Sequence, residues 1–177
     1  QAFAPSGTVS LTATGGASGN PVTFTSATAS VCTVTGSTVT MVSAGSCTIN
    51  ADQAGNTNYA AATQVSQTFA IGKANQTITA VATPSTILFN GTSTLSATGQ
   101  SGTGAVTYAV ASNPGNCSIV GTTLTGTGVG TCTVTATIAS DANYNAATSS
   151  PVTVTVNQAA QTITFGAQPA QTFVPSG

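Results

Sequence analysis

The chain has 177 residues, 40% of them apolar and 2% charged; the charged side chains are Asp52, Lys73 and Asp141, for a net charge of −1. One lysine cannot supply the clustered cations that grip nucleic-acid phosphates or anionic membrane surfaces, so neither partner is expected. With no His, Glu or Arg, and with Asp52 and Asp141 far apart, no acid–base pair or activated nucleophile can form; the chain reads as no enzyme, with no catalytic residue, no cofactor and no metal.

The apolar content is too high for a disordered chain. Threonine is the most abundant residue, and threonine with valine suits a pleated, half-buried surface, so the class is all-β. The longest apolar runs fall far short of the roughly 18 residues of a membrane span, so no membrane insertion is expected of this segment. A net charge near zero also removes the repulsion that keeps copies apart.

Gln1–Gly7 (QAFAPSG) and Gln171–Gly177 (QTFVPSG) agree at five of seven positions, 170 residues apart, which is twice 85. The chain reads as a window on a longer array, opening partway into one repeat and closing at the same phase of another. Thr8–Thr14 (TVSLTAT) alternates, with Val9, Leu11 and Ala13 on one side, the period of a strand with one buried face. Gly15–Pro21 (GGASGNP) is turn chemistry, and Val22–Thr25 the next strand. Val31–Asn50 (VCTVTGSTVTMVSAGSCTIN) reads as strand, turn, strand, turn, strand, with Gly36-Ser37 as a two-residue hairpin turn. Cys32 and Val34 share a face, as do Cys47, Ile49 and Ala51. Gln53–Ala62 is a loop around Tyr59. Val65, Phe69 and Ile71 belong to the last strand, where a bulge stays open.

Gln76–Val81 (QTITAV) opens a second repeat and Gln161–Phe165 (QTITF) a third. Leu11 and Leu95, Val22 and Val106, and Phe24 and Tyr108 lie 84 apart, whereas Tyr59 and Tyr144 lie 85 apart. One extra residue therefore falls in Ala109–Asn116 (AVASNPGN), where proline and glycine mark a loop. The boundaries expected are residues 1–72 for a repeat lacking part of its first strand, 73–157 for a complete repeat, and 158–177 for the first strand of a following one. Each repeat offers about seven short strands, the density of a β-sandwich.

Cys32 and Cys47 are 15 apart, as are Cys117 and Cys132, each on an inward face. This favours intradomain disulfides Cys32–Cys47 and Cys117–Cys132; free buried thiols and metal ligation are the alternatives, and zinc would want histidine or a cysteine cluster. Closing such a loop is worth about 3 kcal/mol in the chain-entropy model. Persistent disulfides imply an oxidising compartment, extracellular or on the cell surface. Asp52 and Asp141 flank the two Asn-Tyr loops and are expected to cap them by hydrogen bonds rather than to bind calcium. Tyr59 and Tyr144 read as plugs at the sandwich ends, and Lys73 as a solvated connector residue.

The strings SVCTVTGSTVTMVSAGSCTI, QAGNTNYAAA, DANYNAA and KANQTIT resemble the bacterial immunoglobulin-like repeats found in tandem in long secreted and cell-surface proteins. The resemblance covers essentially the whole chain. It implies tandem Ig-like β-sandwiches used as spacer, stalk or fibre modules, with no catalytic residues. The antibody tryptophan that packs on a disulfide is absent. The expected function is that of a structural repeat module of an extracellular bacterial fibre, stalk, matrix or filament, with copies of itself or neighbouring repeats as partners. The alternative is an adhesin contacting a glycan or cell surface through its loops. In a filament, Gln161–Gly177 would complete the first domain of the next copy.

Overall fold

A computed structural model describes residues 1–175 and 177. Among them there is no helix, and hence none long and apolar enough to cross a membrane; fifteen strands form four sheets.

In the second repeat the strands are β7 (Thr79–Thr83), β8 (Thr86–Leu88), β9 (Thr92–Thr98), β10 (Val106–Ser112), β11 (Cys117–Val120), β12 (Thr123–Gly126), β13 (Gly130–Ile138), β14 (Ala147–Thr148) and β15 (Val152–Asn157). One sheet runs β11-β12-β9-β7; the other runs β10-β13-β15-β8, with β14 added on β13. All pairs are antiparallel except β8, which lies parallel to β15. This is the strand order of a constant-type immunoglobulin sandwich. Its opening strand is split, β7 serving one sheet and β8 the other, with a cis Thr83–Pro84 bond between them.

The first repeat keeps this order with six strands, without described counterparts of β7 and β14 and with β8 reduced to an isolated bridge. Its strands are β1 (Thr8–Ser10), β2 (Val22–Ser26), β3 (Cys32–Thr35), β4 (Thr38–Met41), β5 (Gly45–Gln53) and β6 (Val65–Ile71). The sheets are β1-β4-β3 and β2-β5-β6. Ala2 bridges Gly72 in parallel, the counterpart of β8 on β15. No described strand occupies the place of β7 beside β1.

Local chemistry explains the matching parts. Strand alternation sends Cys47 and Ile49 inward along β5, and Cys132, Val134, Ala136 and Ile138 inward along β13. Gly36 and Gly121 open the two-residue turns β3–β4 and β11–β12 at φ 59° in both repeats, a conformation glycine adopts without a Cβ clash. The β5–β6 ladder runs unbroken from Gly45↔Ile71 to Ala51↔Val65, so no bulge separates Val65 from Phe69.

The extra residue of the second repeat lies where the offset changes, but its form differs from a loop insertion. The β10–β13 register shifts between Val110 and Ser112, so the residue is taken up as a bulge near the end of the strand. Pro114 and Gly115 follow it in the turn.

Both predicted disulfides are formed. Cys32 opens β3 and Cys47 lies on β5, with Cα atoms 5.7 Å apart; Cys117 opens β11 and Cys132 lies on β13, 6.2 Å apart. Each links one sheet of its sandwich to the other, at the centre of a core containing Val39, Met41, Ile49 and Ile71 in the first repeat and Leu95, Leu124, Val134 and Val154 in the second.

Candidate functional site

All four cysteines are buried and none is free, so they are staples and not reactive groups. Among the described residues no three His, Cys, Asp or Glu side chains come together as metal ligands would. Lys73 is exposed in the connector. The features with specific chemistry are instead a contact between the repeats and a groove in the first one.

The contact is built by the loop at Asp141. Asp141 Oδ1 accepts hydrogen bonds from the backbone N–H groups of Asn143 and Tyr144, both at 2.8 Å, and Oδ2 accepts from Thr103 N–H at 2.7 Å. Those donors, the Thr103 amide first, hold the Asp141 carboxyl below the ordinary aspartate range, because they favour the charged form. The turn so fixed presents Asn143 and Tyr144 to the first repeat. Asn143 Oδ1 accepts from Ala44 N–H at 2.8 Å and from the Ser43 hydroxyl at 2.9 Å. The Asn143 carbonyl accepts from Ala74 N–H, and Asn145 N–H donates to the Ala74 carbonyl, each at 2.8 Å. The Tyr144 ring meets Phe3 edge to face, centroids 5.9 Å apart. Phe3 is itself buried in the core of the first repeat, so Tyr144 closes the end of that neighbouring core rather than only its own sandwich.

The corresponding loop of the first repeat has the same internal build and, among the described residues, is bonded within its own repeat, Asn56 Nδ2 donating to the Ser18 carbonyl at 2.7 Å. Asn56 Oδ1 accepts from Asn58 N–H at 2.8 Å and Tyr59 N–H at 3.0 Å. Tyr59 is 50% exposed, so it plugs no sandwich end in this chain. Asp52 does not cap the loop. It lies within β5 and accepts from Gln64 Nε2 at 2.9 and 3.1 Å. The 85-residue offset carries the signal that proximity to the loop obscured, since it aligns Asp141 with Asn56 and not with Asp52.

The far end of the second repeat carries the counterpart of the surface that Tyr144 covers. Gly128 and Val129 stand where Ser43 and Ala44 stand in the first repeat, and Ala159 stands where Ala74 does. Val129, Leu88 and Phe89 are exposed there.

The groove, of about 340 Å³, lies between the two sheets of the first repeat. Leu11 and Ala13 form one wall, and Phe24, Ile49, Ala51 and Phe69 much of the other. In the second repeat the same place is filled by Ile78 and Ala80, which pack on Ala136 and Ile138. Position by position, Leu95 is buried where Leu11 is half-buried, and Ala136 is buried where Ala51 is half-buried. Gln53 replaces Ile138, and its side chain turns to the loop, accepting from Gly16 N–H at 2.6 Å and donating to the Asn20 carbonyl at 2.7 Å.

The fold defines the class: tandem immunoglobulin-type sandwiches, each stapled by one disulfide. No protein-family model matches the chain, and no curated protein does. Among solved structures it is similar to a C-terminal fragment of intimin bound to the intimin-binding domain of its translocated receptor, at 22% identity over 85% of this chain and 57% of that one, with a TM-score of 0.33. It is similar to domains 1–6 of the surface-layer protein SbsC at 17% identity, over 79% of this chain and 20% of that one, with a TM-score of 0.36. It is also similar to repeats 22–24 of mouse cadherin-23 at 12% identity, over 78% of this chain and 53% of that one, with a TM-score of 0.32. The chain thus spans less than two thirds of each, and likeness at this level bears on no activity or partner.

Proposed function

We propose that the chain is a structural repeat module of an extracellular or cell-surface bacterial fibre, stalk or matrix, whose repeats stack head to tail. The observation that carries this reading is the junction between the repeats. Asn143 accepts side-chain hydrogen bonds from the first repeat and Tyr144 packs on its Phe3, and copies of both halves lie at opposite ends of the pair. Tyr59 with Asn58 repeats the loop, while Val129, Leu88, Phe89 and Ala159 repeat or extend the surface that receives it. Units that carry both halves of one heterologous contact build an open line. The domain boundaries near residues 72 and 157 go with the same reading, with β6 ending at Ile71 and the equivalent β15 at Asn157. Two disulfides per chain support an oxidising, extracellular location. The near absence of charge supports close contact between copies.

Sedimentation of the 177-residue chain over a wide concentration range tests it, with electron microscopy of the largest species. The expected result is a concentration-dependent series of linear oligomers, shifted toward monomer by Tyr59→Ala. A chain that stays monomeric at every concentration would overturn the reading.

A further inference from the structure

We propose that Asn90 is an N-linked glycan acceptor, and that its first sugar rests on Leu88 and Phe89. The inference needs the extracellular location of the chain but not the head-to-tail contact.

Three asparagines stand in the pattern Asn-x-Ser/Thr that N-glycosylation requires: Asn75-Gln76-Thr77, Asn90-Gly91-Thr92 and Asn116-Cys117-Ser118. The fold treats them differently. Asn75 lies in the connector, where its Oδ1 accepts from Asn145 Nδ2 at 2.8 Å. Asn116 is half-buried beside the disulfide at Cys117, and its Nδ2, the atom a sugar would take, already donates to the Thr131 carbonyl at 3.1 Å. Asn90 is exposed in the turn between β8 and β9. Backbone bonds hold it there: Asn90 N–H donates to the Gly126 carbonyl at 2.9 Å, and Gly91 N–H to the Leu88 carbonyl at 2.7 Å. Its φ of 62° is a left-handed conformation that asparagine adopts more readily than most residues. Thr92, whose hydroxyl completes the pattern, is exposed as well.

The surroundings fit a sugar. Leu88 is 53% and Phe89 42% exposed, two large apolar side chains in succession just before the acceptor. Beside them is a hollow of about 340 Å³, whose lining includes Pro84, Leu88, Gly91 and Thr92. β8 is the outer strand of its sheet and carries no charge to keep another strand away. A sugar on Asn90 would set its apolar face on Leu88 and Phe89, fill the hollow, and turn its hydroxyls to water along that edge. One substituent would thus cover an exposed apolar patch and an unguarded strand.

The first repeat shows that a neighbouring repeat does not claim this place. Its equivalent turn, Ala4–Gly7, is closed by Gly7 N–H donating to the Ala4 carbonyl at 2.8 Å, with Ser6 at φ 57°. Ala4, Pro5 and Ser6 stay exposed although the second repeat is seated on Phe3 close by. The turn without an acceptor asparagine also lacks the large apolar pair, with Ala4 and Pro5 where the second repeat has Leu88 and Phe89.

In the reaction, Asn90 Nδ2 bonds to C1 of a sugar carried on a diphosphate. The C1–O bond to phosphate breaks, the diphosphate leaves with its carrier, and the amide gives up one proton. A lipid carrier delivers an oligosaccharide and a nucleotide carrier a single sugar, so the attached mass tells the two apart.

The test is mass-spectrometric peptide mapping of the protein as its own cells secrete it. The peptide containing Asn90 is expected to carry the sugar, and those containing Asn75 and Asn116 to be bare. T92A should lose the sugar, and T92S, which keeps the hydroxyl, should retain it. An unmodified Asn90, a sugar on Asn75 or Asn116 instead, or a sugar that survives T92A would overturn the acceptor. The same chain made in a host that attaches no sugar gives the bare form. Glycosylation should raise the unfolding midpoint of the second repeat, and by less than about half as much in L88A with F89A, each background being compared with its own bare form. Equal shifts in the two backgrounds would overturn the role of Leu88 and Phe89 while leaving the acceptor standing. None of these outcomes bears on the Tyr59 contact.

Discussion

In the second repeat Ile78 and Ala80 cover Ala136 and Ile138; in the first, the equivalent Ala51 is half-buried and the equivalent of Ile138 is Gln53. The central strands otherwise correspond, β2-β5-β6 to β10-β13-β15 and β1-β4-β3 to β9-β12-β11. The comparison separates what the fold needs from what it can lend. Disulfide, hairpin and central strands form in both repeats, so they suffice to define the sandwich. The opening strand closes the core at one edge, and its absence leaves an open groove without altering the order of the others. A small domain with part of its core open depends more on its staple, so the two repeats should respond unequally to the same insult.

The widest gap is expected on removing the disulfides. C117A with C132A should cost the second repeat about 3 kcal/mol in denaturant unfolding and leave it folded, since its core is closed. C32A with C47A should unfold the first repeat outright, read as loss of its half of the dispersed NMR signals. Equal losses in both would remove the asymmetry.

Ile78→Ala should bring the second repeat toward the first. Truncating a buried isoleucine costs about 2–5 kcal/mol, and the variant should lower the unfolding midpoint of the second repeat. The same change at Ile163, exposed in the single chain, should leave both midpoints where they are. A smaller effect is expected at the junction. An edge-to-face aromatic pair contributes about 0.5–1.5 kcal/mol beyond its area, so Tyr144→Ala should destabilise the first repeat by about that much or somewhat more. In dilute solution Tyr59→Ala should change stability by no more than about 0.5 kcal/mol. Small-angle scattering should also show a wider range of angles between the repeats in the Tyr144 variant.

The smallest effect is expected at Asp141. Its carboxyl is held below the usual range in the folded state, so the stabilisation it provides is present above its unfolded value of about 3.9 and is lost as pH falls through the folded value. The junction should therefore loosen in acid, below about pH 4. Asp141→Asn should keep the turn, as Asn56 does in the first repeat, and remove that acid response. Asp141→Ala should lose the turn at neutral pH. An acid response unchanged in the asparagine variant would assign it elsewhere.

Much of this architecture is legible in the sequence because its signals are local. Period-two alternation marks the strands, Gly36 and Gly121 the turns, and cysteines 15 apart at inward phase the staples. What escaped depends on partners distant in the chain. Tyr144 reads as a plug, but only the fold brings Phe3 to it. Asp52 precedes its tyrosine loop in sequence, yet strand pairing keeps it in β5 and leaves the turn to Asn56. The added residue near Val110 sits among Pro114 and Gly115, whose turn signal hides a bulge that only cross-strand register displays. The open groove is implied by the phase of the repeat, but its side-chain-sized volume emerges only once both sheets are in place.

Amide hydrogen exchange tests most directly the central claim, that the opening strand covers an edge of the second repeat whose equivalent in the first is unpaired. In dilute, monomeric chain, fast exchange is expected at Thr12–Thr14, beyond the end of β1, and protection across Thr92–Thr98, whose outer edge is paired with β7. A synthetic peptide with the sequence of Gln161–Ala170 should then slow exchange at Thr12–Thr14 and leave Thr92–Thr98 unchanged. Equal protection of the two stretches in the monomer, or a peptide that protects neither, would contradict it.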